Sequence, residues 1–523
     1  MANNYLRPGD PASLLTATRR RRDRDALANG QVVDVLVVGG GVTGVGVALD
    51  AATRGLSVAL IEADDFAFGT SRWSSKLVHG GLRYLAKGQV GIAWESAVER
   101  ARIMTTIAPH LVRSLAGIVP VLDTTSRRDQ QITMAGLRAG DVLRRGTRMP
   151  RSVLPPPRRV GPQEALRMMP SLPADRLRGA CVAWDGQLED DARLVVAIAR
   201  TAAAYGALML TKTAAVEISA DGAVVEDRLD GGMFTIKARH VINATGVWAG
   251  TLDPRVRVSP SRGTHLVVRS HDLGHPTASL TVPVPGHFAR YVFAMPQPDD
   301  LVYIGLTDVS APGPIPDVPV ATEEEIDWIL SIISLGLDRA LERHHVIGTF
   351  AGLRPLVTVD DDGSDGDQES ADISRKHLVL GGPGEVVTLV GGKLTTYRRM
   401  AQDAVDRICD IDCRTQDLPL IGAGRGTIPS TVPPRLVRRY GDEAPLVADL
   451  AERNPSLLLP ITPPGSGHDV DVRGVELLWG IEAEGALTQS DLLERRTRIS
   501  LVPADLELVA PVAAEITGSL ASA

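Results

Sequence analysis

Val33-Asp34-Val35-Leu36-Val37-Val38-Gly39-Gly40-Gly41-Val42-Thr43-Gly44 is the stretch on which the fold turns. Val33, Val35, Leu36, Val37 and Val38 make a nearly unbroken, β-branched apolar run, which suits a strand buried on both faces of a parallel sheet. Gly39, Gly41 and Gly44 follow at G-x-G-x-x-G spacing. The pattern predicts a helix from Val42 to about Arg54, with Val45, Ala48, Leu49 and Ala52 on one face and Gly55 as its stop. A second strand, Ser57 to Ile61, ends at Glu62. Bare backbone at Gly39 and Gly41 lets a pyrophosphate approach the amides at a helix N-terminus, where the helix dipole favours an anion. Glu62 stands where a carboxylate accepts hydrogen bonds from an adenosine ribose. That acid disfavours a ribose 2′-phosphate, so the spacing points to NAD or FAD over NADP.

Beyond Glu62 comes Gly69-Thr70-Ser71-Arg72-Trp73-Ser74-Ser75-Lys76-Leu77-Val78-His79-Gly80-Gly81-Leu82-Arg83-Tyr84-Leu85. It resembles the flavin loop of the FAD-dependent glycerol-3-phosphate dehydrogenases, whose form is close to S-S-K-L-x-H-G-G-L-R-Y-L. The likeness covers most of residues 32 to 410 and thins beyond. It implies an α/β fold with a Rossmann-like FAD-binding domain of the DAO/glutathione-reductase type. An α+β antiparallel-sheet substrate domain and a C-terminal helical domain complete it. It also implies that Thr70, Ser71, Ser75, Lys76, His79, Gly80 and Gly81 contact the cofactor, and that Arg83 and Tyr84 shape the substrate pocket.

A chain of 523 residues can form two or three domains with sizeable cores. Hydrophobic residues make up 44%, an ordinary composition for a soluble protein, and the formal net charge of -7 gives no reason to expect a nucleic acid partner. Cys181, Cys409 and Cys413 are too few for a disulfide framework and suit a reducing compartment. Cys409 and Cys413, four apart on an expected helix, lack the further ligands that a metal site needs. No apolar run nears the roughly 18 residues that span a bilayer, so a cytoplasmic protein is expected, with any membrane contact peripheral and on the inner face.

Residues 1–31, with Arg19, Arg20, Arg21, Arg22 and Arg24, read as a solvated, partly ordered basic arm. Residues 126 to 160 are distinctive: Arg127, Arg128, Arg138, Arg144, Arg145, Arg148, Arg151, Arg158 and Arg159 face only Asp129 and Asp141. Ile132, Met134, Leu137, Val142, Leu143 and Leu154 lie among them. Cations with apolar side chains suit an anionic membrane surface, each cation contributing about 1 kcal/mol there. The plainer alternative is a basic loop over the substrate entrance. Asp190-Asp191-Ala192-Arg193-Leu194 reads as a helix start capped by Asp190, with Asp191 in the first turn.

Val241 to Ala249 is a strand entering the glycine turn at Gly246, a form that resembles a cofactor-side segment of two-dinucleotide-type flavoproteins. Ser261 to Val268 opens a second sheet that continues through residues 289–293 and 301–305. His265, just before an apolar strand, would by itself most often be a hydrogen-bonded structural residue. The match of Gly263-Thr264-His265 to the family's substrate-side histidine implies a general base, a role open to a side chain that titrates near neutrality. Gly352-Leu353-Arg354-Pro355-Leu356 matches the family's G-x-R-P-L segment, which implies that Arg354 grips an anion bidentately, with Arg375 facing the same anion. Asp360 to Glu369 reads as an exposed acidic loop. Val386 to Val390 is another buried strand, leading to Gly391-Gly392-Lys393-Leu394-Thr395. By resemblance this turn sets Lys393 at the flavin edge where charge collects on reduction, with Gly392, Leu394 and Thr395 beside the ring.

The expected order is a basic arm (1–31), a FAD-binding part (32–119) and a basic, partly apolar segment of the substrate domain (120–180). A second FAD-binding part (181–260), the substrate sheet (261–350), a third FAD-binding part (351–414) and a helical C-terminal domain (415–523) follow. In the last, Glu494, Arg495, Arg496 and Arg498 read as a charged helix face or a subunit contact, which would allow a homodimer. The resemblance implies oxidation of glycerol 3-phosphate to dihydroxyacetone phosphate by hydride transfer to FAD, with electrons passed to a membrane quinone. An oxygen-using oxidase, an amine or amino-acid oxidase and a non-catalytic dinucleotide-binding scaffold remain as alternatives.

Overall fold

A computed structural model describes residues 5–81, 84–85, 88–287, 290–357, 377–463 and 470–518. The apolar run forms the strand Val32–Val38 in the parallel centre of a mixed sheet, flanked by Gly232–Asn243 and Val58–Ile61. Val387–Val390 and Leu208–Leu210 extend the sheet on either side. Val35, Leu36 and Val37 are wholly buried. Burial of each such side chain stabilises the fold by about 1.5–3 kcal/mol, which explains a strand apolar on both faces. The helix Val42–Thr53 packs between the helices Asp191–Ala204 and Tyr397–Val405. Gly46 makes this close approach feasible, since a Cβ there would lie 2.9 Å from the Tyr397 ring.

The second sheet is mostly antiparallel, as expected, with one parallel pair at Ser279–Pro283 and Val112–Leu122. Val258–Arg269 is its hub, pairing with Leu301–Gly305, Val309–Ser310 and Gly348–Val357. In this register His265 lies opposite both Gly305 and Phe350. The helix Glu323–Ser334 covers the sheet and begins with a capping box between Thr322 and Glu325.

Three expectations need correction. The N-terminal arginines do not form a solvated arm: Ala17–Ala28 is a helix that buries Arg20, Asp23 and Leu27. Arg20 pairs with Asp227 at 2.7 Å and Arg24 reaches Asp227 and Asp230, so acids distant in sequence neutralise the cluster. Cys409 and Cys413 do not share a helix, because Tyr397–Val405 ends before them; Cys413 Sγ instead donates to Asp50 at 2.9 Å. Arg495 and Arg496 are buried, not on a charged outer face. Arg496 grips both oxygens of Asp65, and Arg495 joins Asp65 to Asp491, which ties the C-terminal helices to the segment after Glu62.

The basic segment forms the helix Arg127–Gly146, capped by Ser126. Its inner side buries Met134, Leu143 and the Asp141–Arg144 pair, while Ile132 and Val142 are exposed. Among the described residues no helix is long and apolar enough to cross a membrane.

Candidate active site

A cleft of about 1290 Å³ runs between the two sheets, from the glycine turn after Val38 to the strands carrying His265 and Arg354. Sites for drug-sized ligands span roughly 300–1,000 Å³, so this one has room for a dinucleotide together with a small substrate.

At one end, Gly39 adopts φ +113, and a Cβ there would lie 2.7 Å from the Ala244 carbonyl. Gly41 lies at the N-terminus of the helix Val42–Thr53 and also lines the cleft. Gly44 serves the turn from behind, since its Cβ would sit 1.8 Å from the Gly39 carbonyl. Glu62 faces the cleft and accepts from the amides of Gly40 at 2.5 Å and Asp64 at 2.9 Å. Burial raises its carboxyl above the ordinary range, partly offset by those amides. Gly40 was not singled out in the sequence, yet a Cβ there would press on the Glu62 side chain at 2.8 Å. Positive φ, bare backbone and an acid at the cleft wall together fit the adenosine and pyrophosphate of a dinucleotide.

The loop after Glu62 forms the middle of the cleft, where Thr70, Ser71, Ser75, His79, Gly80 and Tyr84 line the wall. Ser71 Oγ accepts from the Val42 amide at 2.8 Å, and Thr70 Oγ1 donates to the Leu353 carbonyl at 2.7 Å. Gly80 N donates to Asp185, which also pairs with Arg100 at 2.7 Å. Gly81, with φ +78, packs against Ala93 behind the wall. Lys76 departs from its expected place at the cofactor. Its ammonium is turned beneath the loop onto Asp191 at 2.7 Å, because a buried cation needs a carboxylate partner. Asp191, expected only to begin a helix, also accepts from Ser74 N and Oγ. Arg83 and Arg375 lie outside the described residues.

Opposite the loop, Gly391 and Gly392 both take positive φ and turn the chain from Val390 toward the helix Tyr397–Val405. Gly392, Lys393, Leu394 and Thr395 line the cleft, as does Gly246 with φ +61. Lys393 Nζ lies 3.6 Å from the Tyr84 ring centre and donates to Ser96 Oγ at 3.2 Å. The His79 ring stacks on the other partner of that contact, Tyr84, at 6.2 Å. The glycine loop and the lysine-bearing turn therefore meet, although more than three hundred residues separate them.

At the far end, His265 is 1% exposed, with Nε2 2.9 Å from Ser75 Oγ and its ring stacked on Phe350 at 4.6 Å. Burial, reinforced by Lys76 and Arg354, pulls its pKa well below the usual value and leaves the ring neutral. Arg354 Nη1 pairs with Asp308 at 3.1 Å and Nη2 donates to the Thr307 carbonyl at 3.2 Å. Gly263 makes room for this guanidinium, since a Cβ there would lie 2.2 Å from Nη2. Glu325, which the sequence reading passed over, accepts from Arg262, Thr264 and Thr307 and fixes the strand that carries the histidine.

Fold and cleft together define a dinucleotide-binding oxidoreductase of the flavoprotein type, and comparison with known proteins narrows the class. Residues 34–398 match the family described as FAD dependent oxidoreductase, and residues 386–521 match the C-terminal domain of alpha-glycerophosphate oxidase. Glycerol-3-phosphate dehydrogenase 1 of Mycobacterium tuberculosis is 48% identical over 517 residues, covering 96% of this chain and 98% of that protein. The crystal structure of the glycerol-3-phosphate dehydrogenase from Bacillus halodurans complexed with FAD superposes with a TM-score of 0.72 at 26% identity, covering 97% of this chain and 95% of that one. L-alpha-glycerophosphate oxidase from Mycoplasma pneumoniae, at 17% identity and a TM-score of 0.54, shares the fold over 72% of this chain and 94% of its own. The chain belongs to the FAD-dependent glycerol-3-phosphate dehydrogenase family, and its cofactor is FAD.

Proposed function

We propose that this protein oxidises sn-glycerol 3-phosphate to dihydroxyacetone phosphate and passes the electrons to a membrane quinone. The observation that carries the reading is the convergence of His265, Arg354 and Lys393 on one cleft in a chain of this family. Bound FAD supplies a two-electron acceptor for the C2 hydride at its N5. Gly39, Gly41 and Glu62 would hold the adenosine and pyrophosphate portion, while Thr70, Ser71, Ser75, His79 and Gly80 and the turn from Gly392 to Thr395 would hold the ring. Arg354, with Arg375, grips the substrate phosphate; a guanidinium offers the planar pair of donors that a phosphate accepts. Arg83 and Tyr84 shape the pocket.

His265 takes the hydroxyl proton at Nε2 by way of Ser75 Oγ, 2.9 Å away, which passes its own proton to the ring as it accepts the substrate's. Burial keeps the ring neutral and its lone pair free of a proton, while it also weakens the ring as a base. Lys393 contributes positive charge beside the loop, which favours a reduced, negatively charged cofactor. The helix Arg127–Gly146 presents Ile132 and Val142 beside Arg128, Arg138 and Arg145 at the surface, which supports peripheral contact with an anionic membrane on its cytoplasmic face.

Anaerobic titration of the purified yellow protein with glycerol 3-phosphate should bleach the flavin absorbance stoichiometrically. Unchanged colour at saturating substrate would refute the assignment. The oxidase-type C-terminal match favours one second reading, with oxygen as acceptor. Rapid peroxide formation in air without added quinone would select it.

A further inference from the structure

We propose that Lys76 and Asp191 are positioning residues for the proposed oxidation: their buried ion pair folds the Arg72–Lys76 turn so that Ser75 Oγ meets His265 Nε2, and fixes a cation behind the Phe350–His265 stack. This rests on reading His265 as the proton acceptor.

All three protons of the Lys76 ammonium are engaged, by Asp191 Oδ2 at 2.7 Å, the Arg72 carbonyl at 2.9 Å and the Ser74 carbonyl at 3.3 Å. Asp191 in turn collects the amide and hydroxyl of Ser74 at 3.0 and 2.8 Å. The turn is thus tied to the start of the helix Asp191–Ala204 by three hydrogen bonds to one carboxylate oxygen, and the ammonium braces the turn with two more to its own carbonyls. Lys76 pays a conformational cost for this place, with φ +57 in the left-handed region that side chains other than glycine avoid. Residues held in such strain cluster at working sites, where surrounding contacts impose a geometry.

The charge also faces the histidine. Lys76 Nζ lies 5.3 Å from the Phe350 ring centre, and His265 stacks on the same ring at 4.6 Å and 11°. Among the described residues, the charged groups toward His265 are Lys76 from the loop and Arg354 from the strand Gly348–Val357. Asp308 offsets Arg354, Asp191 offsets Lys76, and Tyr303, edge-on to Phe350, is kept un-ionised by burial. Burial pulls the ammonium itself down to about 8 despite Asp191, so below neutral pH it is charged. Positive charge at this range disfavours imidazolium, and removing it must make the ring easier to protonate.

The test uses the FAD-loaded enzyme, with the pH dependence of anaerobic flavin reduction by glycerol 3-phosphate followed by stopped flow. Lys76→Met should raise the acid limb by about 0.5–1 pH unit, since it removes the cation and leaves the Asp191 charge. Asp191→Asn should lower it, and Lys76→Arg should leave it near wild type. NMR of ¹³C-labelled histidine, with His265 assigned by its loss in His265→Gln, should show the same opposite shifts without turnover. Limbs that stay put in both Lys76→Met and Asp191→Asn, with rates reduced evenly at every pH, overturn the proposal; so do shifts in the same direction. If Lys76→Met fails to fold, Asp191→Asn and the NMR titration decide. Wild-type flavin that glycerol 3-phosphate does not bleach would instead overturn the reading of function, which the pH profiles leave standing.

Discussion

The Lys393 ammonium stands 3.6 Å from the centre of the Tyr84 ring, so the turn after Val390 is fastened to the loop that follows Glu62. A cation over an aromatic face is worth about 0.5–2 kcal/mol, and the contact aims positive charge along the cleft wall. Lys393→Met should lower the flavin midpoint potential and cut kcat/KM about 10²-fold, as loss of one preorganised charge does elsewhere. Dye-coupled potentiometry on protein with full flavin content checks it; an unchanged potential would remove Lys393 from the flavin edge.

Arg354 and Gly263 offer a paired test of the anion grip. Arg354→Ala should raise KM for glycerol 3-phosphate by about 10- to 150-fold, the usual range for hydrogen bonds to charged groups, with flavin content unaltered. Gly263→Ala keeps the guanidinium but puts a methyl 2.2 Å from Nη2, which must displace it. Both variants should therefore lose substrate affinity, measured by steady-state kinetics. Normal KM in Gly263→Ala alongside a raised KM in Arg354→Ala would mean that Arg354 relocates without loss.

Gly44→Ala examines the cofactor turn from its hidden side. Its methyl would collide with the Gly39 carbonyl; the methyl is fixed to Cα and the carbonyl belongs to the backbone, so neither can swing aside. The expected product is a folded but colourless protein, checked by circular dichroism together with the 450 nm absorbance. A yellow variant with wild-type flavin content would show that the turn can shift without losing its ligand.

The sequence was most legible where local chemistry and tertiary structure coincide. The Val33–Gly44 run could be read from periodicity and glycine spacing, and the structure differs there by only a residue or so at the element ends. His265 and Arg354 were legible through resemblance, since only the antiparallel register brings Gly305, Phe350 and Gly263 around them. Arg20, Lys76, Arg495 and Arg496 were illegible for one physical reason. A charged residue is ordinarily solvated, and whether it is buried depends on a carboxylate far away in sequence: Asp227, Asp191 or Asp65. Asp191 hid in the same way, because an acid in a helix's first turn already has a sufficient local explanation.

Asp65 is the acid on which the C-terminal helices depend, and it should set their acid stability. Burial alone would raise its carboxyl, but Arg496 and Arg495 outweigh that and hold it at about 2, below the ordinary 3.8. A carboxyl depressed in the folded state adds stability that is fully present above the unfolded value and is lost as pH falls through the folded one. The window is therefore pH 4 to 2, and the contribution is about 2 kcal/mol at neutral pH. Asp65→Asn leaves Arg495 and Arg496 buried beside a neutral partner, a change that typically costs about 3–5 kcal/mol. Thermal melts from pH 7 to 2.5 should show the variant less stable at neutrality and flatter in acid, with the two curves converging as Asp65 protonates. Parallel curves across that range would mean that Asp65 is not the group whose protonation releases the C-terminal helices.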